Sequence, residues 1–252
     1  PELARDMAPL AELIAKRSEG GVPVVLDTID NRQLEHVSGA IWQLAQRRVG
    51  VSLAAQGLPQ GLGGAVAAQL GRVSKLSAEA HEGPGLVLSG SCAAQTAAQL
   101  AAAEAEGWTM IHLPVERLTG ADEAQRATDA LAPGMIAALQ AGRSVAVYTA
   151  RGEVTQAFDL DRAPAVGHAL AGLFRQAGRE AGLRRVIFAG GDSSSFAMRS
   201  CGAYALEIAS SIGQQASQTC RLLSTDELNG VEVILKGGQA GGDRFFLDPM
   251  AS

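Results

Sequence analysis

Paired cysteines, aromatic rings, surplus basic charge and long apolar runs are all scarce in this chain, and each shortage closes off a class of explanation. Only 3 cysteines occur in 252 residues: Cys92, Cys201 and Cys220. An odd count with no Cys-x-x-Cys pair and no histidine at ligand spacing argues against a disulfide framework and structural zinc, and favours a reducing cytoplasm. The 4 histidines, His36, His81, His112 and His168, are scattered and read as surface or packing residues. A net charge of −5 with a pI near 5.4 speaks against a nucleic-acid partner, which calls for a basic face. Arg47-Arg48 and Arg184-Arg185 are too short to reverse that and read as solvated helix ends. No apolar run approaches the ~20 residues of a bilayer span and no signal peptide opens the chain, so no membrane partner is expected. An initiating Met is missing as well. Starting at Pro1 in helical sequence, the chain is expected to be a piece of something longer.

What is plentiful is small aliphatic sequence. Apolar residues make up 47% of the chain and aromatics 4%, so Ala, Val and Leu must fill the core, as where helices lie on aliphatic strands. Leu3, Met7, Leu10, Leu13 and Ile14 form a helical stripe over residues 2–17, stopped by Gly20-Gly21. Residues 23–27 read as a strand. Thr28 or Asp30 can cap a helix carrying Leu34, Val37, Ile41 and Leu44. Residues 49–53 read as another strand, 56–64 as a glycine-rich turn and 65–70 as a helix. The polar stretch 71–85 is the best candidate for an internal linker.

Beyond it the alternation becomes regular. Strands are expected at 86–88, 109–113, 144–149 and 185–189, with helices at 92–106, 121–140, 165–181 and 196–200. Residues 151–161 are polar. Three closely spaced strands, at 204–208, 219–222 and 232–235, end the chain. Strands separated by helices of this length require right-handed crossovers and a largely parallel sheet covered on both faces. The expected fold is a three-layer α/β/α arrangement whose sheet is mixed at one edge.

Three strand ends share a grammar. Val186 to Ala189 runs into Gly190-Gly-Asp-Ser-Ser-Ser195, Leu86 to Leu88 into Ser89-Gly-Ser91, and Val231 to Leu235 into Lys236-Gly-Gly-Gln-Ala-Gly-Gly-Asp243. Glycines let the backbone approach a ligand, and free amides at a helix start favour an anion such as phosphate. The plainer readings are tight packing, with Asp192, Ser193, Ser89 or Ser91 acting as helix caps. Lys236, at the end of a buried strand, needs an anionic partner: a phosphate, Asp243 or Glu207. Asp27 and Asp30 follow the first strand and could face a cleft.

In their order and spacing the three turns resemble those of the four-carbon acid sugar kinase family, whose members phosphorylate threonate, erythronate or 3-oxo-tetronate with ATP. The likeness rests on Gly90-Ser-Cys-Ala-Ala-Gln-Thr-Ala-Ala-Gln99, Gly190-Gly-Asp-Ser-Ser194 and Lys236-Gly-Gly-Gln-Ala-Gly241, with Val24-Val-Leu-Asp27 and Gly202-Ala-Tyr-Ala-Leu-Glu-Ile208 also fitting. It implies that residues 1–252 are the nucleotide-binding domain without the N-terminal substrate domain. It further implies ATP and Mg2+ as cofactors, a sugar-acid substrate, and the missing domain as partner, and leaves a homodimer open. The cofactor-binding candidates are Ser89, Gly90, Ser91, Gly190, Gly191, Asp192, Ser193, Lys236, Gly237, Gly238 and Gly241, with Asp192 reaching Mg2+ through water.

The sequence departs from the family pattern where Ser195 replaces a glycine and where Gly237, Gln239 and Ala240 replace Ser, Asn and Phe. These changes keep an amide-rich loop but alter its side-chain donors. No catalytic base and no direct metal ligand is assigned. The expected function is the ATP-binding part of a sugar-acid kinase, inactive without its other half. The alternatives are a binding module that has lost the chemistry, or a hydrolase using Ser193 or Ser194. The last lacks the Gly-x-Ser-x-Gly elbow and any histidine after His168.

Overall fold

The structure, a computed structural model, describes residues 8–54, 57–70, 83–152, 160–211 and 218–250. Residues 2–7 of the first expected helix, 71–82 of the linker candidate and 153–159 of the second polar stretch lie outside the described residues. The chain divides into two compact units, Pro1–Lys75 and Leu76–Ser252.

Among the described residues the first unit holds three helices, α1 (Ala8–Arg17), α2 (Asn31–Ala45) and α3 (Gly57–Leu70). Asp30 caps α2 by accepting a hydrogen bond from the Gln33 amide at 2.7 Å, and the Asp27 carboxylate accepts from the Thr28 amide at 2.9 Å. Ala11, Ile14 and Ala40 form the core, with Leu10, Leu26 and Leu44 against it. Helices α2 and α3 approach closely at Gly61, where an added Cβ would lie 2.2 Å from Ser38 Oγ. That contact accounts for glycine at 61, within a stretch expected as a turn that forms the first half of a helix.

The two strands expected here do not form. Residues 22–28 and 49–54 pair with no strand. Val25 is 93% exposed and Val49, Val51 and Leu53 are essentially fully exposed. Strand propensity reflects packing on a pleated surface, and among the described residues of this unit there is no sheet to supply one.

The second unit is built on a seven-stranded sheet. Its strands are β1 (Leu86–Ser89), β2 (Thr109–His112), β3 (Val145–Tyr148), β4 (Arg185–Ala189), β5 (Ala205–Ser211), β6 (Gln218–Leu223) and β7 (Glu232–Lys236), in the order β2-β3-β1-β4-β7-β6-β5. The first five in that order run parallel, and β6 and β5 add an antiparallel edge. Helices α4 (Ala94–Ala105), α5 (Ala121–Gln140), α6 (Ala163–Ala181) and α7 (Gly191–Ser200) complete it.

Alternation along the strands sorts the core into two layers. Leu86, Leu88, Val145, Val147, Val186, Phe188 and Val233 pack with α5, α6 and α7. Val87, Ala146, Ile187 and Ile234 pack on the opposite face with Leu100 of α4 and with Phe245, Phe246 and Met250. Small residues bring the helices together. A Cβ at Gly172 would fall 2.6 Å from Thr128 Oγ1, and one at Gly167 would fall 2.3 Å from Phe196 Cβ. The expected open α/β fold with one mixed edge is therefore present.

At the amino edge of the sheet, Arg185 is not on a solvated helix end as expected but opens β4, where its buried guanidinium donates through Nε to Glu232 Oε2 at 2.7 Å and through Nη1 to the Pro249 carbonyl. Arg185→Ala leaves the Glu232 carboxylate without this partner and is expected to cost about 3 kcal/mol of unfolding free energy, read by urea denaturation of the sheet unit. In the first unit, Val25→Lys and Val51→Lys are expected to leave helical circular dichroism unchanged and to move unfolding free energy by no more than about 0.5 kcal/mol in urea denaturation, because both side chains already stand in solvent.

Candidate functional site

The site is set by the hand of the crossovers. The connection leaving β1 passes through α4 on one face, while those leaving β3 and β4 pass through α6 and α7 on the other. Strand β1 lies between β3 and β4, so its carboxyl end opens a crevice where neighbouring chains part to opposite faces. Ligands of open α/β sheets bind at such points.

The three glycine corners meet there. Ser89, Ala189 and Lys236 sit side by side at the ends of β1, β4 and β7. The Gly90 amide donates to the Ala189 carbonyl at 2.9 Å and the Gly190 amide to the Lys236 carbonyl at 3.0 Å, tying the corners in sequence. A Cβ at Gly90 would fall 2.1 Å from Ser193 Oγ. One at Gly190 would fall 3.2 Å from Gly90 C, and one at Gly238 would fall 3.2 Å from Ser91 Oγ. Gly190 also has φ 107°, a conformation open to glycine and strained for other residues.

Exposure divides the predicted residues into two sets. Gly191, Asp192 and Gly237 face solvent, with Gly90, Gly190, Gly238 and Gly241 partly covered. Ser89, Ser91, Ser193 and Lys236 are buried. Ser89 Oγ accepts from the Ser91 amide and Ser91 Oγ from the Ala93 amide, so these hydroxyls serve the turn itself. Gly190 is the N-cap of α7 and makes no side-chain cap bond, so neither Asp192 nor Ser193 caps that helix. The Ser194 hydroxyl donates back to the Gly190 carbonyl and that of Ser195 to Gly191.

Lys236 is 1% exposed, and its ammonium donates to Thr96 Oγ1 at 2.9 Å and to the carbonyls of Gly237 at 3.1 Å and Gly238 at 2.8 Å. The two carboxylates expected as partners are engaged elsewhere. Asp243 accepts from Gln95 Nε2 at 3.0 Å, and Glu207 lies 3.7 Å from Arg221. Desolvation lowers the ammonium pKa from 10.5 to about 8.

Three polar positions on α4 lie in the motif that carries the family likeness but were not among the cofactor-binding candidates. Thr96 and Gln99, both buried, and Gln95 hold the loop that follows β7. The signal was present as polar residues at i and i+3 on the inner face of an alanine-rich helix.

Residues 86–246 match the family described as the nucleotide-binding C-terminal domain. The chain belongs to that family. It is also 31% identical over 246 residues to 3-oxo-isoapionate kinase of Paraburkholderia graminis, covering 89% of this chain and 51% of the kinase. The chain thus spans about half the length of that curated relative. Two solved structures share the fold at 22% identity, each covering 98% of this chain and 57% of the other. One is a protein of Salmonella typhimurium LT2, with a TM-score of 0.62, and the other a Haemophilus influenzae protein assigned to DUF1537, with a TM-score of 0.59. The matched segment of the nucleotide-binding family begins at β1 and ends at Phe246, so all three corners lie inside it.

The buried ammonium carries a pH signature. Between about 8 and 10.5 the unfolded chain holds the Lys236 proton and the folded chain releases it, so stability rises with pH across that window. Below it the desolvation cost is present in full. Relative to Lys236→Met, the wild type is expected to gain about 3 kcal/mol from pH 7 to 10.5, measured by chemical denaturation at each pH.

Proposed function

We propose that this chain binds Mg-ATP where the three corners meet and is the ATP-binding half of a kinase acting on a four-carbon sugar acid of the threonate, erythronate or 3-oxo-tetronate type. The observation that carries this reading is the convergence of Gly90, Gly190 and Gly238 at the crevice of a nucleotide-binding-family sheet, with a buried cation beneath them. The kinase direction is supported by the identity to 3-oxo-isoapionate kinase. Phosphoryl transfer needs positioning and neutralisation of phosphates more than covalent chemistry from the protein.

In this reading the amides of Gly191 and Asp192 at the start of α7, together with the loop 237–242, receive the phosphates. Ser91, Ser193 and Lys236 shape the floor, and Lys236 supplies positive potential from below. Among the described residues no three His, Cys, Asp or Glu side chains gather into a metal cage. Mg2+ would therefore arrive on the triphosphate, with Asp192 reaching it through water. Mg2+ would neutralise charge on the transferred group. The sugar-acid site and the catalytic base are assigned to the half of the kinase that this chain does not span, so turnover by the chain alone is expected to be negligible. A cytoplasmic location suits this chemistry.

A second reading, a binding module that has lost the chemistry, draws on the inward aim of the Lys236 ammonium and on the absence of side-chain donors at Gly237 and Ala240.

Thermal unfolding separates the two. Mg-ATP at ~100 times its dissociation constant adds about 2.7 kcal/mol and should raise the melting temperature by about 5 °C or more. No shift at millimolar Mg-ATP favours the module without its ligand.

A further inference from the structure

We infer that Gln99, with Thr96 beside it, is a positioning residue that turns the peptide groups of the glycine loop so that their amides face the phosphates of the nucleotide. This rests on the nucleotide reading above. Gln99 is fully buried, and its Nε2 lies 3.0, 3.3 and 2.9 Å from the carbonyl oxygens of Ala240, Gly241 and Gly242. The amide can sit only this way round, because the opposite assignment would press its oxygen against three carbonyl oxygens. Its Oε1 has no partner. The side chain is held entirely through its donor end.

Thr96 and Lys236 treat the start of the loop in the same way. The Thr96 hydroxyl accepts from Lys236 and lies 3.0 Å from the Gly238 carbonyl, while Lys236 donates to the carbonyls of Gly237 and Gly238. Five loop carbonyls are thus drawn inward onto α4 and the lysine. No peptide bond among the described residues is cis, and in a trans peptide the C=O and the following N–H point in opposite directions. The amides of Gly238, Gln239, Gly241, Gly242 and Asp243 are therefore turned away from α4 and Lys236, and none of them donates to a backbone carbonyl among the described residues. Successive backbone amides that turn out of a loop in this way can converge on an anion. Lys236 acts here as an orienting group under the loop and not as a direct phosphate ligand.

The test compares the wild type with Gln99→Met and Gln99→Glu, using Mg-ATP and adenosine as probes in calorimetry and following hydrogen exchange at residues 237–243. Gln99→Met should weaken Mg-ATP about tenfold, leave adenosine unchanged, and speed exchange in the loop but not in β1 or β4. Gln99→Glu should bind Mg-ATP poorly near pH 8 and recover near about pH 5, where a protonated carboxyl regains one donor. Equal weakening of both ligands, or an unchanged Mg-ATP affinity, overturns the orienting role while the nucleotide reading stands. A wild type that takes up no Mg-ATP overturns that reading, and this inference falls with it.

Discussion

The carboxyl edge of the sheet depends on one buried ammonium whose hydrogen bonds all go to neutral oxygens, with the Phe246 ring 5.8 Å away. A charge removed from water is tolerated only when its hydrogen-bonding capacity is met. For Lys236 a threonine hydroxyl and two carbonyls of its own following loop do so. Each of those oxygens belongs to an element that has to be in place: Thr96 fixes the start of α4, while Gly237 and Gly238 fix the path out of β7. The lysine thereby joins the end of one strand to the helix that leaves another, across the strand β4 between them.

The same demand gives the loop after β7 its shape without a single regular element. Gly241, at φ 78°, leaves room for Phe245, whose side chain would lie 2.2 Å from an added Cβ, and Phe245 and Phe246 seal the α4 face below. Packing fixes where the loop lands, and polar groups on α4 fix which way its peptides turn. Neither alone would hold a chain of seven residues from Gly237 to Asp243, four of them glycine, in one conformation against its entropy.

Much of this could be read from sequence where local pattern and tertiary environment agree. The 20-residue helix α5 has the predicted bounds, and β4 ends at the expected Ala189. Agreement broke down where a pattern needs a neighbour. Pro23 to Asp27 and Val49 to Leu53 have strand composition, but a strand is a relation between paired segments, and among the described residues of that unit neither has a partner strand. Gly57 to Gly64 has turn composition, yet Gly61 is there for its closeness to Ser38. At the site, the glycine corners were visible because glycine is itself the signal. Thr96 and Gln99 stood in the motif that ends at Gln99, but no role could be assigned to them because they bond a loop some 140 residues away, a relation no local window contains.

The contact between Gly90 and Ser193 binds two distant genetic positions into one. With no space for even a methyl group at 90 while a hydroxymethyl stands at 193, enlargement of the first is compatible with the fold only alongside a reduction of the second. Any lineage that drifts at this corner must therefore move both codons together, or widen the gap between β1 and α7 and with it the mouth of the crevice.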